Sequence, residues 1–264
     1  MAAGCRNGIN RWNETSESWS TFKDAHAAGT GLFEDQSFGA VQSSLYNTSF
    51  LSDMADADDM KKAIEGWARP SEMGFEGKPS FWGPTGQPIP EGVHQQNLGD
   101  CWFLASASAL AEVPIRLKRT VWNDSYDEKG AFRFFFWVKN KWESINIDDR
   151  LPAKKDYISN KWMPWMTTRS KQGAWWMPLM EKAYAKLDQN YERIIAGMGY
   201  EGLRTLTGMP TVYIKLNRGA DLDASWNTLK PLTGKNYPMT TPCCNGAGVD
   251  GLVTGHAYTL LDLV

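Results

Sequence analysis

From Cys101 to Ala111 the chain reads CWFLASASALA, apolar or small at nearly every position, which predicts a helix buried on all sides rather than an amphipathic one. Asp100 stands directly before it and is expected to cap it, since a short carboxylate at that place can accept a free backbone N–H. Farther on, FRFFFWV at 132–138 and WESINI at 142–147 are aromatic and β-branched runs separated by Lys139-Asn140-Lys141, the pattern of a hairpin. Trp176, Leu179, Met180, Ala183, Tyr184 and Leu187 recur at helical spacing, and Pro178 is tolerable in the first turn of such a helix. Toward the end, TVYIKL at 211–216 and HAYTLLDLV at 256–264 read as strands.

The same text suggests an organisation. Residues 1–30 are polar and aperiodic and read as an N-terminal extension. Residues 31–70 mix aromatic anchors with short helical patches, and Pro70 closes them. The stretch 76–93 holds four prolines and four glycines and predicts a long, ordered loop leading into the buried helix. Gly197-Met198-Gly199 reads as a flexible joint. The expected division is therefore a first lobe over 31–199 and a smaller, β-rich second lobe over 200–264.

Composition narrows the function classes. The 264 residues are enough to bury a core, and 42% hydrophobic with 22% charged residues is the balance of an ordinary folded protein. Lys plus Arg number 28 against 30 Asp plus Glu, a net charge of −2, so the basic stripe that drives nucleic-acid binding is not expected. Neither an apolar leader of secretory length nor a run of about 18 apolar residues is visible, and the expected setting is cytoplasmic. The four cysteines, Cys5, Cys101, Cys243 and Cys244, fit neither paired zinc knuckles nor a CxxC site, so reduced thiols are expected.

Of these thiols, Cys101 has the placement of a nucleophile. The first turn of a helix sets a thiolate against unsatisfied N–H groups and the positive end of the helix dipole. Gln95, six residues upstream, could aim an amide N–H at a developing oxyanion. A cysteine opening an apolar helix is commonly a small core residue, so the catalytic reading needs a base. Three histidines exist: His26 falls in the N-terminal extension, His94 reads as a loop histidine, and His256 opens an apolar strand behind a glycine. A cysteine on one lobe's helix and a histidine on the other lobe's strand, 256 − 101 = 155 residues apart, is the arrangement of papain-like peptidases.

Four ordered blocks carry a closer resemblance: Gln95-x-x-Leu-Gly-Asp-Cys-Trp-Phe-Leu-Ala, Ile147-Asp-Asp-Arg-Leu-Pro152, Leu179-Met-Glu-Lys-Ala-Tyr-Ala-Lys186 and Gly251-Leu-Val-Thr-Gly-His-Ala-Tyr258. Together they resemble the protease core of calpains, and Leu32-Phe-Glu-Asp35 with Phe38 and Trp67-Ala-Arg-Pro70 resemble the segments leading into it. The resemblance implies an α+β, papain-like cysteine protease core of two lobes. It implies Cys101 as nucleophile, His256 as general base and acid, and Gln95 as oxyanion donor of an intracellular endopeptidase acting on proteins through a thioester. Calpains complete their triad with an asparagine in an Asn-Pro-Trp-Gly motif after the histidine. The sequence continues 264 − 256 = 8 residues past His256 without it, and Asn245 does not match by motif, so the second lobe is expected to be incomplete.

The resemblance also implies calcium, and no organic cofactor. Glu181 matches one acidic ligand, with a solvated helix face as the alternative, whereas the carboxylate expected near Gly92 is missing and Glu91 is its nearest substitute. Asp148 and Asp149 are adjacent, which on a strand sends them to opposite faces, so turn and salt-bridge roles are expected. Trp102, Trp137, Trp142, Trp175 and Trp176 fall on expected core elements. Two rival readings are a catalytically silent calpain-like binding module, motivated by the missing motif, and an acyl transferase using amines, as transglutaminases do. Oligomeric state is not legible.

Overall fold

The computed structural model describes residues 31–46, 64–74, 77–168, 173–215, 221–233, 235–242 and 251–263. Cys5, His26, Cys243, Cys244, Asn245 and the expected extension 1–30 lie outside the described residues. In chain order the elements are α1 (Gln42–Leu45), β1 (Gly66–Ala68), α2 (Cys101–Ala111), α3 (Pro114–Lys118), β2 (Ala131–Val138), β3 (Lys141–Asp148), β4 (Leu151–Lys155), β5 (Trp162–Pro164), α4 (Trp176–Leu187), α5 (Gly199–Thr207), α6 (Leu222–Leu229), β6 (Met239–Pro242) and β7 (Ala257–Leu260). The strands form three antiparallel sheets among the described residues: β1-β4-β5, the hairpin β2-β3, and β6-β7.

The expected central elements are present. Helix α2 is buried from Trp102 through Ala111, and α3, α4, α5, β6 and β7 all pack on it. The hairpin pairs Val138 with Lys141, and Lys139 and Asn140 turn the chain with φ of 50° and 60°, the left-handed pair that a two-residue hairpin turn requires. Residues 77–93 of the Pro- and Gly-rich stretch are ordered, as expected. Phe81 and Trp82 are buried from it, Trp82 Nε1 donates to Asp124 O at 2.8 Å, and Phe81 O accepts from the amide of Trp176 at 3.0 Å. Trp102, Trp175 and Trp176 are buried, whereas Trp137 and Trp142 are half-buried and meet edge to face at 5.6 Å.

Several expectations are corrected. Residues 211–215 form no strand, and of 256–264 only Ala257–Leu260 does, so among the described residues 200–264 hold two helices and one two-stranded sheet in place of a β-rich run. Helix α5 packs mainly on α2 and β2, elements of the segment before it. The segment 64–70, read as part of a helical patch, contributes strand β1, and Pro70 opens a 3-10 turn at Pro70–Glu72 instead of closing the segment. The glycines at 197 and 199 serve close approach rather than a joint. A Cβ on Gly197 would sit 2.4 Å from Trp102 Cε2, and one on Gly199 would sit 2.2 Å from Thr240 Oγ1. Gly202 does the same inside α5, where a Cβ would lie 2.5 Å from Ser106 Oγ.

A buried network of charges ties the lead-in segment to this core. Asp148, at the end of β3, accepts from Asp35 N at 2.8 Å, from Arg150 Nε and Nη2 at 2.9 and 2.6 Å, and from Lys182 Nζ at 2.5 Å. Lys182, on α4, also donates to Arg150 O at 2.6 Å, and one turn on, Lys186 Nζ donates to Asp35 Oδ2 and Asn146 O at 2.6 Å each. Asp149 pairs instead with Arg69 and with the Tyr126 hydroxyl, so the two neighbouring aspartates do hold turn and salt-bridge roles on different sides. Arg69 Nη2 returns to Phe33 O at 2.8 Å. Gly130, at φ 77°, clears the room for this second pair: a Cβ there would lie 2.5 Å from both Arg69 Nη1 and Asp149 Oδ1.

Burial pushes the Asp148 carboxyl up, but Lys182 and Arg150 outweigh it and hold it below the ordinary carboxylate range. A depressed acid contributes stability above its unfolded pKa and loses it as pH falls through the folded one. Lys182→Met leaves a buried charge short of its closest partner, so urea unfolding at neutral pH should show a loss of about 3–5 kcal/mol. The gap should narrow in acid, below the ordinary carboxylate range, where Asp148 takes up a proton. Gly197→Ala should lower stability by about 1–3 kcal/mol, because the Trp102 indole has to give way; a thermal melt unchanged from wild type would contradict that packing.

Candidate functional site

The site is built around the N-terminus of α2. Cys101, the first residue of the helix, is a half-buried free thiol, and the next ten residues are buried. Its neighbours are held from three directions. Gly99 O accepts from Ala196 N at 2.9 Å, and Trp102 Nε1 donates to Ile194 O at 3.0 Å, so the segment 194–199 clasps the helix start. Ala196 holds a left-handed φ of 59° there, a conformation that a residue with a Cβ seldom adopts. Ser106 Oγ donates to Trp102 O at 2.8 Å and Gly199 O at 3.0 Å, which binds the start of α5 to the same helix.

His256 directly precedes β7, and β7 packs on α2. Thr259 Oγ1 donates to Ala105 O at 2.9 Å, linking the strand that His256 opens to the helix that Cys101 opens. The imidazole of His256 meets Tyr258 edge to face at 4.8 Å, and the Tyr258 hydroxyl accepts from Val253 N at 2.7 Å, which folds the approach to the histidine onto the strand. The other described histidine, His94, sits in its own loop with Nε2 3.1 Å from Glu91 O, the local role expected of it.

Gln95 is half-buried on the loop before the helix, and its Nε2 donates to Leu98 O at 2.5 Å. That bond curls the loop from Gln95 to Leu98 back on itself, three residues before Cys101. A primary amide has two N–H groups, so one bond to Leu98 does not exhaust it.

Asp100 departs from expectation. It occupies the cap position of α2, but its side chain makes no capping bond, and its φ of −104° and ψ of 25° lie outside the extended region typical of capping residues. It is wholly buried, and neither carboxyl oxygen has a donor among the described residues. Its carboxyl faces Glu181 of α4. Burial, then the Glu181 charge, pushes the Asp100 carboxyl well above the ordinary range.

Glu181, expected to be a calcium ligand or a solvated position, is 1% exposed. Its Oε2 accepts from Thr167 Oγ1 at 2.5 Å, Thr168 N at 2.6 Å and Thr168 Oγ1 at 3.0 Å. Burial raises its pKa too, against these hydrogen bonds. Calcium takes six to eight oxygen ligands, often with waters. Here one oxygen is enclosed by donors that point at it, and no group of three or more His, Cys, Asp or Glu side chains able to hold a metal occurs among the described residues. These surroundings do not fit calcium, and no chemical step below passes through it. A helical wheel could have flagged this position, since Glu181 lies three and four residues from Pro178 and Ala185, both buried.

The family model described as calpain family cysteine protease matches residues 33–264. Human calpain-14 is 35% identical over 241 residues, 87% of this chain and 32% of the relative. The human calpain-2 catalytic subunit is 35% identical over 247 residues, 88% of this chain and 32% of its own length. The calpain-type cysteine protease DEK1 of Arabidopsis thaliana is 29% identical over 250 residues, 90% of this chain and 11% of the relative. The chain thus spans about a third of the two human relatives and a smaller share of the plant one. No helix among the described residues is long and apolar enough to cross a membrane. By the match over nearly its whole length, the chain belongs to the calpain family of cysteine proteases.

Proposed function

We propose that the chain carries the catalytic cysteine of a calpain-type endopeptidase, with Cys101 as nucleophile, His256 as general base and acid, and Gln95 as oxyanion donor. The observation that carries this reading is the bond from Thr259 to Ala105, which ties the His256 strand to the Cys101 helix. The helix start supplies free N–H groups and a positive dipole end, which favour a thiolate over a thiol. His256 accepts the thiol proton, and the sulfur attacks the carbonyl carbon of a peptide bond. The oxygen gathers negative charge, to which the amide of Gln95 and the N–H groups at the start of α2 donate in this reading. The imidazolium protonates the leaving amine, and a thioester to Cys101 remains. His256 then takes a proton from water, which attacks the thioester and frees the second product.

The substrates are proteins by the same reading, and calcium dependence, implied by the resemblance, is probed directly by the experiment. Site-resolved alkylation with iodoacetamide across pH, with and without calcium, should show Cys101 reacting below pH ~7, while an ordinary thiol follows a curve near pKa ~8.5. His256→Ala should move Cys101 toward the ordinary curve, and Cys101→Ser should abolish peptide hydrolysis. A wild-type Cys101 that titrates as an ordinary thiol with and without calcium would sink the reading.

A second reading is the silent binding module. Large apolar side chains are exposed through the last part of the chain, among them Val212 at 85%, Leu222 at 76% and Val253 at 64%, a surface suited to holding another protein segment. Under that reading Cys101→Ser leaves the biological effect of the chain intact.

A further inference from the structure

We propose that Asp100 carries a proton and donates it to the Glu181 carboxylate, and that this buried acid–carboxylate hydrogen bond, rather than a helix cap, positions the start of α2 and with it Cys101. The positioning clause rests on Cys101 being the nucleophile; the shared proton does not.

The observations converge from separate elements. Glu181 is furnished as a single buried carboxylate, with two hydroxyls and one backbone amide turned toward it. Met166 stands just before those two threonines in a left-handed conformation, φ 59°, and is buried, so the backbone is bent where it presents them. Asp100 has the opposite setting: full burial and, among the described residues, no donor for either oxygen. Two ionised carboxylates that face each other at full burial, one of them without a donor among the described residues, carry both a desolvation cost and mutual repulsion. A protonated carboxyl changes the inventory, because it becomes an O–H donor. Glu181 is the acceptor it faces, and the pair then holds one negative charge, already satisfied by the threonines.

The other groups around the pair are consistent with a single charge. The Tyr191 hydroxyl, buried from the Tyr191–Ile194 turn, is pushed up by burial and by the Glu181 and Asp100 carboxyls, so it stays neutral beside them. Cys101 follows Asp100 in sequence and interacts with its charge. An ionised Asp100 would oppose a thiolate at the adjacent residue, whereas a neutral one does not. The bond also spans α2, α4 and the turn after β5, fixing the helix start by side chains where the backbone offers no cap.

The test uses the full chain with Asp100→Asn, which keeps a donor without a proton to lose, and Asp100→Ser, which is a good helix cap on a shorter side chain. Folding of the wild type takes up a proton once pH exceeds the unfolded aspartate value of about 3.9, so its folded-to-unfolded ratio should fall relative to Asp100→Asn by about tenfold per pH unit. Urea unfolding from pH 4.5 to 7.5 reads this gap, and it does not depend on Cys101 chemistry. A gap independent of pH overturns the shared proton. For positioning, Asp100→Asn should keep the wild-type alkylation curve of Cys101 and Asp100→Ser should shift it toward the ordinary thiol curve. Equal Cys101 alkylation curves for the two variants overturn the positioning role. An ordinary curve in the wild type itself, beside a pH-dependent gap, upholds the shared proton and overturns only the positioning role.

Discussion

Helix α2 is covered on every side from Trp102 onward, and this burial governs what its neighbours are permitted to be. A helix that begins with a half-buried thiol and then disappears into the core has no room for long polar side chains along its length. Its sequence accordingly holds apolar and small residues throughout, and α5 with the segment before it approaches through glycine. Gly197 lies against Trp102, Gly202 against Ser106, and the backbone of Gly199 receives the Ser106 hydroxyl. At Gly197 and Gly202 one methyl group would press on the helix that carries Cys101, and at Gly199 on Thr240 of β6, a strand that packs on that helix. Precision at the thiol is in this sense a property of the packing around α2 rather than of the residues beside the sulfur alone.

The charges of the fold follow from a second consequence of the same burial. Helix α4 contributes Trp176, Leu179, Met180 and Ala183 to the core, and it must satisfy its remaining polar positions away from water. Lys182 and Lys186 do so on the hairpin and the lead-in segment, through Asp148 and Asp35. Ion pairs of this kind add little net stability relative to an apolar replacement, but removing one partner is severe. Their effect is specificity: the lead-in segment is held in one place on the core, with Arg69 and Asp149 closing the same seam from the other side.

The sequence made the helix of Cys101, the hairpin and α4 legible because each is long and strongly patterned, and the hairpin turn falls at the residues expected. It was less informative where function is carried by tertiary contact. TVYIKL has strand composition, but 211–215 pair with nothing in the described sheets, since β propensity expresses packing and not backbone preference. Gly197 and Gly199 looked like a joint because glycine in a sequence signals freedom and close approach alike. Exposure alone would also misjudge Glu181 and Lys182, which are charged and yet 1% exposed each. The sequence offers Cys101 and His256 as a candidate pair but not the bond of Thr259 to Ala105 that relates their elements.

Asp100 shows why a short motif underdetermines its own chemistry. An aspartate one residue before a helix fits a capping role by every local criterion, and only the fold reveals that its carboxyl turns inward to a glutamate 181 − 100 = 81 residues away. Capping would have placed a charge at the helix start, where it stabilises the dipole but opposes a thiolate on the next residue. Turning the carboxyl into the core removes that conflict, because burial against Glu181 favours the neutral acid. The helix dipole is then left to act on the sulfur, and the stability forgone at the cap is offset by a bond linking α2 to α4. The residue beside a nucleophile is thus placed less to complete its helix than to keep a competing charge away from it.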